Sequence, residues 1–272
     1  MRALRTVARG FLALTFLAAL AAPWIAPRPY DHQYRRAANA EPSRDFPLGS
    51  DDLGRDRLSR LLVGAQVSLL LAPAAAAVAV LLAALVGITA GYLGGAWDRV
   101  MMGAVDLLLA LPWLFLLLAV RSLLPLNVAP QLSVALTFLL LGMLGWAAPA
   151  RVVRASVRTL LNSEFLLQAR AFGSSPARLL TRQLPPNLAP VLAAQFCISV
   201  PAFVLAEASL GLLGLGVAEP LPSLGSLLRE LENLPALRAT PAQIAGIMAP
   251  AIFLVAVVCS FQLAFPLEEI PS

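Results

Sequence analysis

The chain has 272 residues, of which 59% are hydrophobic and 13% charged, with mean hydropathy +0.80 and a formal net charge of +5. A soluble domain carries about 25% charged residues, so there are too few charges here to clothe a water-facing surface, and the bilayer becomes the default solvent. All twenty basic residues are Arg, they flank apolar runs, and aromatic residues make up only 7%, a pattern that sets membrane orientation and argues against nucleic-acid binding.

A hydrocarbon core about 30 Å thick takes about 20 apolar residues as a helix, and six stretches come close to or meet that length. The first runs from Phe11 to about Pro27 behind Arg2, Arg5 and Arg9. Its Ala19-Leu20-Ala21 also fits a signal-peptide cleavage site, so a cleaved leader and a retained helix both stand on these residues. Residues 28–65 follow as a polar segment with nearly balanced charge. The second span covers about Gln66 to Gly91 and the third about Met101 to Ala119. Arg121, Pro125, Asn127 and Pro130 then make a short turn. The fourth span is about Leu132 to Ala150, the fifth about Leu188 to Gly216, and the sixth about Gln243 to Phe265. The expected architecture is an all-α polytopic membrane protein. It divides into a helix over 1–27, an extracytoplasmic segment with an amphipathic helix over 28–65, and a five-helix core over 66–267 that contains a loop over 151–186.

Arg placement in short loops orients the spans. The connection between the fourth and fifth spans carries Arg151, Arg154, Arg158, Arg170, Arg178 and Arg182 against one acid, Glu164. The connection after the fifth is mixed: Glu219, Arg229, Glu230, Glu232 and Arg238. The amino terminus and the 151–186 loop are therefore expected in the cytoplasm. With an even number of spans, the carboxyl terminus joins them.

Polar residues that stand out are few. Asp51, Asp52 and Asp56 form an acidic cluster, but calcium takes six to eight oxygens and Arg55, Arg57 and Arg60 are interleaved. An amphipathic helix starting near Asp52, with Asp56 and Arg60 paired at i,i+4, accounts for the pattern. Asp106, about one turn inside the third span, and Glu207, inside the fifth run, are translocation-pathway candidates because intramembrane acids are costly. The helix dipole for Asp106 and a bond to a neighbouring helix for Glu207 are the structural alternatives. Gly211, Gly214 and Gly216 suit close helix approach. In the 151–186 loop, Phe165, Leu166, Ala169 and Phe172 recur at helical spacing. Gly173 is a helix stop, Ser175-Pro176 a restart, and Pro185-Pro186 a second stop. Two short helices joined at Gly173, lying on the membrane surface, are expected.

Cys197 and Cys259 sit in apolar runs, and His32 is the single histidine. That excludes most His- and Cys-based metal sites and catalytic dyads. With no lysine there is no Walker-type phosphate loop, so any ATP must bind another subunit. No cofactor or metal is expected. A transport subunit fits best, with an ion-coupled secondary transporter using Glu207 as the alternative and an intramembrane protease disfavoured because no His lies in a span.

Several segments also resemble a known family. The stretch Glu164-Phe165-Leu166-Leu167-Gln168-Ala169-Arg170-Ala171-Phe172-Gly173, with Arg178, Arg182, Pro185, Pro186 and Asn187, resembles the "EAA" cytoplasmic loop of ABC importer permeases. Leu167 stands at the position of the eponymous Glu, and Gln168 at that of the first Ala. The run Phe46 to Leu62, with Gly49, Asp51, Gly54, Arg55 and Asp56, resembles the segment after the first helix in the C-type subunit of the dipeptide/oligopeptide/nickel permeases. Leu205 to Gly216, Pro222 to Gly225, Gly91 to Gly95 and Val105 to Pro112 are similar to that family too. The resemblance covers about residues 5–255; Glu268 and Glu269 depart from it. It implies a type I ABC permease fold with a retained first helix in the bacterial inner membrane. Glu164, Phe165, Gln168, Ala169, Arg170, Ala171, Phe172, Gly173, Arg178, Arg182 and Pro186 are implied as ATPase-coupling residues. The implied partners are a second homologous permease subunit, two ABC ATPase subunits and an extracytoplasmic solute-binding protein, besides membrane lipid. The substrate implied is a peptide or a related small solute, nickel included.

Overall fold

A computed structural model describes residues 2–123, 128–217, 219–231 and 240–265. Pro125, Asn127, Glu232, Arg238, Glu268 and Glu269 lie outside them. In chain order the α-helices are α1 (Arg2–Leu20), α2 (Ala22–Ile25), α3 (Arg57–Leu93), α4 (Gly95–Ala110), α5 (Trp113–Ser122), α6 (Pro130–Leu144), α7 (Ala147–Leu161), α8 (Glu164–Ala171), α9 (Pro176–Arg178), α10 (Leu184–Leu212), α11 (Leu224–Leu228) and α12 (Pro241–Ala264). Extended pairing among the described residues is confined to one bridge, Ser50 with Asp56. The fold is an all-α polytopic membrane fold.

Among the described residues five stretches are long and apolar enough to cross a membrane: Ala3–Leu20, Arg57–Leu93, Pro130–Leu161, Pro176–Leu212 and Pro241–Ala264. The pair α4 and α5 makes a sixth when counted as one span, bent by 91°. The third span was expected as one run from about Met101 to Ala119. It breaks because Pro112 has no N–H to donate and disfavours the helical conformation at the residue before it; Leu111 is accordingly extended, with ψ 135°.

Three other boundaries moved outward. Helix α3 begins at Arg57 rather than near Gln66 because Arg57 and Arg60 are buried and paired instead of solvated. Helix α7 runs on to Leu161, eleven residues past the expected end at Ala150, and takes Arg151, Arg154 and Arg158 with it. Pro185-Pro186 does not stop a helix. A π-helical turn over Leu179–Gln183 resets the hydrogen-bond ladder, so both prolines fall in the first turn of α10, where a missing N–H costs nothing.

Helix α3 is the central post. Ala72, Ala75, Ala76, Ala79 and Ala83 along it are buried, and small residues let neighbouring backbones come close. Helix α7 sits tightest on it: a Cβ at Gly87 would lie 2.7 Å from the Ala150 carbonyl, and one at Gly91 2.8 Å from the Val157 side chain. Helix α1 runs along α12 with Ala8, Leu12 and Ala19 in the shared core, and Arg9 donates to the Ala264 carbonyl at 3.1 and 3.2 Å. The start of α12 meets residues 39–48: Gln243 donates to the Asn39 carbonyl at 2.8 Å, and a Cβ at Gly246 would stand 2.2 Å from the Leu48 carbonyl. Thus the start of α1, the end of α12, the end of α3 and the α8 hairpin share one end of the bundle. Residues 28–56 and 219–231 share the other.

Candidate functional site

The α8 hairpin is anchored by three buried leucines, Leu166, Leu179 and Leu184, and presents most of its other side chains outward. Leu166 packs with Val153 and Val157 of α7 and with Leu179, Leu184 and Leu188, against the half-buried Ile88 and Tyr92 of α3 and Ala169 of α8. Glu164, Phe165, Gln168, Ala171, Arg178, Arg182 and Pro186 are exposed; the Arg170 side chain lies outside the described set. Phe172 shares the helical spacing of Leu166 and Ala169 but is 87% exposed, because α8 ends at Ala171 and the chain turns at Gly173, whose φ of +77° suits glycine. The restart is as expected: the Ser175 hydroxyl accepts from the Arg178 amide at 3.3 Å, with Pro176 at the first position. Leu167, at the position of the usual Glu, is half exposed and forms no ion pair.

Just beneath the hairpin, α4 and α7 run antiparallel and are stitched by charge. The Asp98 carboxylate receives Arg154 through Nε and Nη2, the latter at 2.6 Å, and Arg158 Nη2 at 2.6 Å. Two turns further along α4, Asp106 pairs with Arg151. Asp106 thus sits on a half-open helix face beside an arginine rather than alone in the span. Asp98 went unnoticed in the sequence. The matching signal was there: acids eight residues apart on one helix and arginines at 151, 154 and 158 on another.

At the opposite end the Gly49–Asp56 segment is a tight loop, not the expected amphipathic helix. Asp51 accepts from the Leu53 and Arg55 amides at 3.0 and 2.7 Å and from Arg55 Nε at 2.6 Å. Asp56, not Asp52, is the helix cap, accepting from the Ser59 amide at 2.9 Å and its hydroxyl at 2.6 Å. Gly54 has φ +78°, and a Cβ there would lie 2.2 Å from the Tyr34 carbonyl. The expected Asp56–Arg60 pair is replaced by long-range ones. Arg55 and Arg60 both reach Glu219, at 2.7 and 3.1 Å, and Arg57 reaches Glu230 at 3.1 Å. Arg55, Arg60, Glu219 and Glu230 line a cleft of about 590 Å³ together with Gln33, Ser226 and Arg229. Burial pushes the Glu230 carboxyl above its ordinary value, with Arg57 opposing.

Glu207 has no exposed surface. Its carboxylate accepts from Ser223 Oγ, from Ser68 Oγ at 3.1 Å and from the Gly225 amide at 3.3 Å, while Ser68 Oγ also accepts from the Leu224 amide at 3.1 Å. One acid therefore ties α3, α10 and α11. Of the two readings of Glu207, this geometry is that of the bond to neighbouring helices.

A feature the sequence did not reveal lies where two helix breaks meet the middle of α10. Leu108 and Leu109 at the end of α4, Trp113 of α5, Gly145 between α6 and α7, and Gln195, Ser199 and Phe203 of α10 line a mainly apolar cavity of about 320 Å³. Non-helical backbone at membrane depth occurs where protein buries it or where it lines a cavity, and this elbow does so.

Residues 83–265 match the family model for the binding-protein-dependent transport system inner membrane component. The chain is 34% identical over 232 residues to the oligopeptide transport system permease protein OppC of Bacillus subtilis, covering 85% of this chain and 73% of that protein. It is 34% identical over 214 residues to the dipeptide permease DppC of the same organism, covering 79% of this chain and 65% of that one. The glutathione transport system permease protein GsiD of Escherichia coli is 33% identical over 225 residues, covering 81% and 71%.

Proposed function

The chain belongs to the binding-protein-dependent transport inner-membrane family, in its peptide- and nickel-transport branch, and on that premise we propose that it forms half of the pore of an ATP-driven importer for peptides or related small solutes. A second homologous permease subunit completes the pore. Two ABC ATPase subunits dock on residues 164–186, an extracytoplasmic binding protein delivers the solute at the opposite end, and lipid surrounds the rest. The chain itself is a transport subunit and not an enzyme; hydrolysis of ATP resides on the partners. Both termini and the α8 hairpin face the cytoplasm, and α1 is the first retained span, a reading supported by its share of the common core. Peptide is the favoured solute because the curated relatives are named for oligopeptide, dipeptide and glutathione transport.

The observation that carries this reading is Phe172. Phe172, 87% exposed at the tip of the hairpin, stands with the exposed Phe165 and Leu167 as an apolar surface that a partner's socket can take up. Phe172→Asp tests it. The variant is expected to keep the fold, since Phe172 supports no core, and to lose both co-purification of the ATPase and transport. Retained ATPase binding by Phe172→Asp refutes the docking role. Ala169, half buried under α8, is the poorer test residue because a bulky charge there disturbs the anchor as well.

A further inference from the structure

Helix α7 is gripped on three sides. The α8 hairpin holds its far half through Leu166 against Val153 and Val157. Helix α3 holds it at Gly87 and Gly91, where no side chain fits between. Helix α4 holds it through Asp98, which gathers Arg154 and Arg158, and, further along, through an apolar cluster of Met102 and Val105 with Ala147 and Ala150. The Asp98 side chain is 9% exposed and its bonds are charge-assisted, the strong kind. Helix α4 in turn ends in the Leu111–Pro112 elbow, with Leu108 and Leu109 in the cavity wall. A continuous rigid path therefore leads from the hairpin through α7 and Asp98 along α4 to the elbow.

We infer that Asp98 is a positioning residue that carries movement of the α8 hairpin into α4 and so reshapes the elbow cavity. The inference rests on the docking reading above. The apolar contacts of α7, with α3 at Gly87 and Gly91 and with α4 at Met102 and Val105, contain no directional bond. The Asp98 fork is different: it binds two arginines one turn apart, so a shift or roll of α7 along its axis drags the first turn of α4. Neutralising the carboxylate leaves packing in place but takes away the charge assistance and one acceptor.

The experiment uses the assembled importer in proteoliposomes, with Cys197 and Cys259 replaced by Ser and spin labels at Leu109→Cys and Ile198→Cys, which line the elbow cavity from α4 and α10. The distance between the labels is measured before and after trapping with ATP and vanadate. The wild-type pair is expected to change its distance on trapping. Asp98→Asn is expected to co-purify with the ATPase and to hydrolyse ATP, yet to lose that change, and Asp98→Glu to restore it. If Asp98→Asn does not assemble, Arg158→Gln, which leaves both Arg154 bonds, is judged by the same criterion. An elbow that stays still in the wild type, or moves as far in Asp98→Asn, overturns the inference while leaving docking intact. Failure of the wild-type ATPase to co-purify overturns the docking reading and this inference together.

Discussion

Glu207 shows how a single residue serves the fold in a chain whose spans are apolar nearly all round. Its carboxylate satisfies two hydroxyls and an amide drawn from α3, the turn before α11 and α11 itself. Glu207→Leu strands these donors, and a buried unsatisfied group costs about 1–3 kcal/mol. The variant is expected to melt well below the wild type in detergent. Glu207→Gln keeps one acceptor oxygen, loses less stability and keeps transport. A Gln variant that folds normally but transports nothing would return Glu207 to the pathway.

Glu230 makes a pH prediction at the same scale. Burial raises its native carboxyl above the ordinary value in spite of Arg57. At pH below that ordinary value, both folded and unfolded chains hold the proton and this group contributes no slope. As pH climbs from there through the raised native value, the unfolded chain has released its proton while the folded chain retains it. Stability therefore falls across that window and levels off above it. Thermal melts of the detergent-solubilised protein across the window should show this decline, and Glu230→Gln should flatten it. A wild-type slope unchanged by the substitution assigns the decline to other groups.

Among the elements, what could be read from the sequence was what short-range chemistry fixes. The α8 hairpin is the clearest case: Gly173 at its turn, Ser175 as cap and Pro176 at the first position are each decided by neighbours a few residues away, and they fall where expected. All six apolar stretches correspond to helical segments because bilayer solvation leaves the backbone little else. What could not be read depended on distant partners. Arg57 and Arg60 extend α3 because Glu230 and Glu219, 173 and 159 residues away, accept them. Arg151, Arg154 and Arg158 look like a solvated loop until Asp98 and Asp106 are placed opposite. Pro112 breaks its span whereas Pro73 stays inside α3, and no local rule separates the two. Phe172 illustrates the converse, since its spacing fits the buried face but the helix ends one residue too soon.

For the whole molecule, the distribution of charge and the proposed sidedness stand or fall together. The α8 end carries Arg9, Arg99, Arg151, Arg154, Arg158, Arg178 and Arg182 with Asp98, Asp106 and Glu164 as its described acids. The opposite end balances Arg55, Arg57 and Arg60 almost one for one against Asp51, Glu219 and Glu230. Arginines in short connections hold the cytoplasmic side, and nucleotide-driven partners can reach only that side. In a background lacking Cys197 and Cys259, Leu53→Cys at the balanced end should react with a membrane-impermeant maleimide in spheroplasts. Ala171→Cys at the hairpin should react only after the membrane is opened. Both positions are exposed in the chain itself, and expression without the ATPase keeps burial under a partner from mimicking sidedness. Labelling of Ala171→Cys in sealed spheroplasts would put the Phe172 knob where no ATPase can meet it. The path through Asp98 would then have no motor at its start, whatever the strength of the contacts along it.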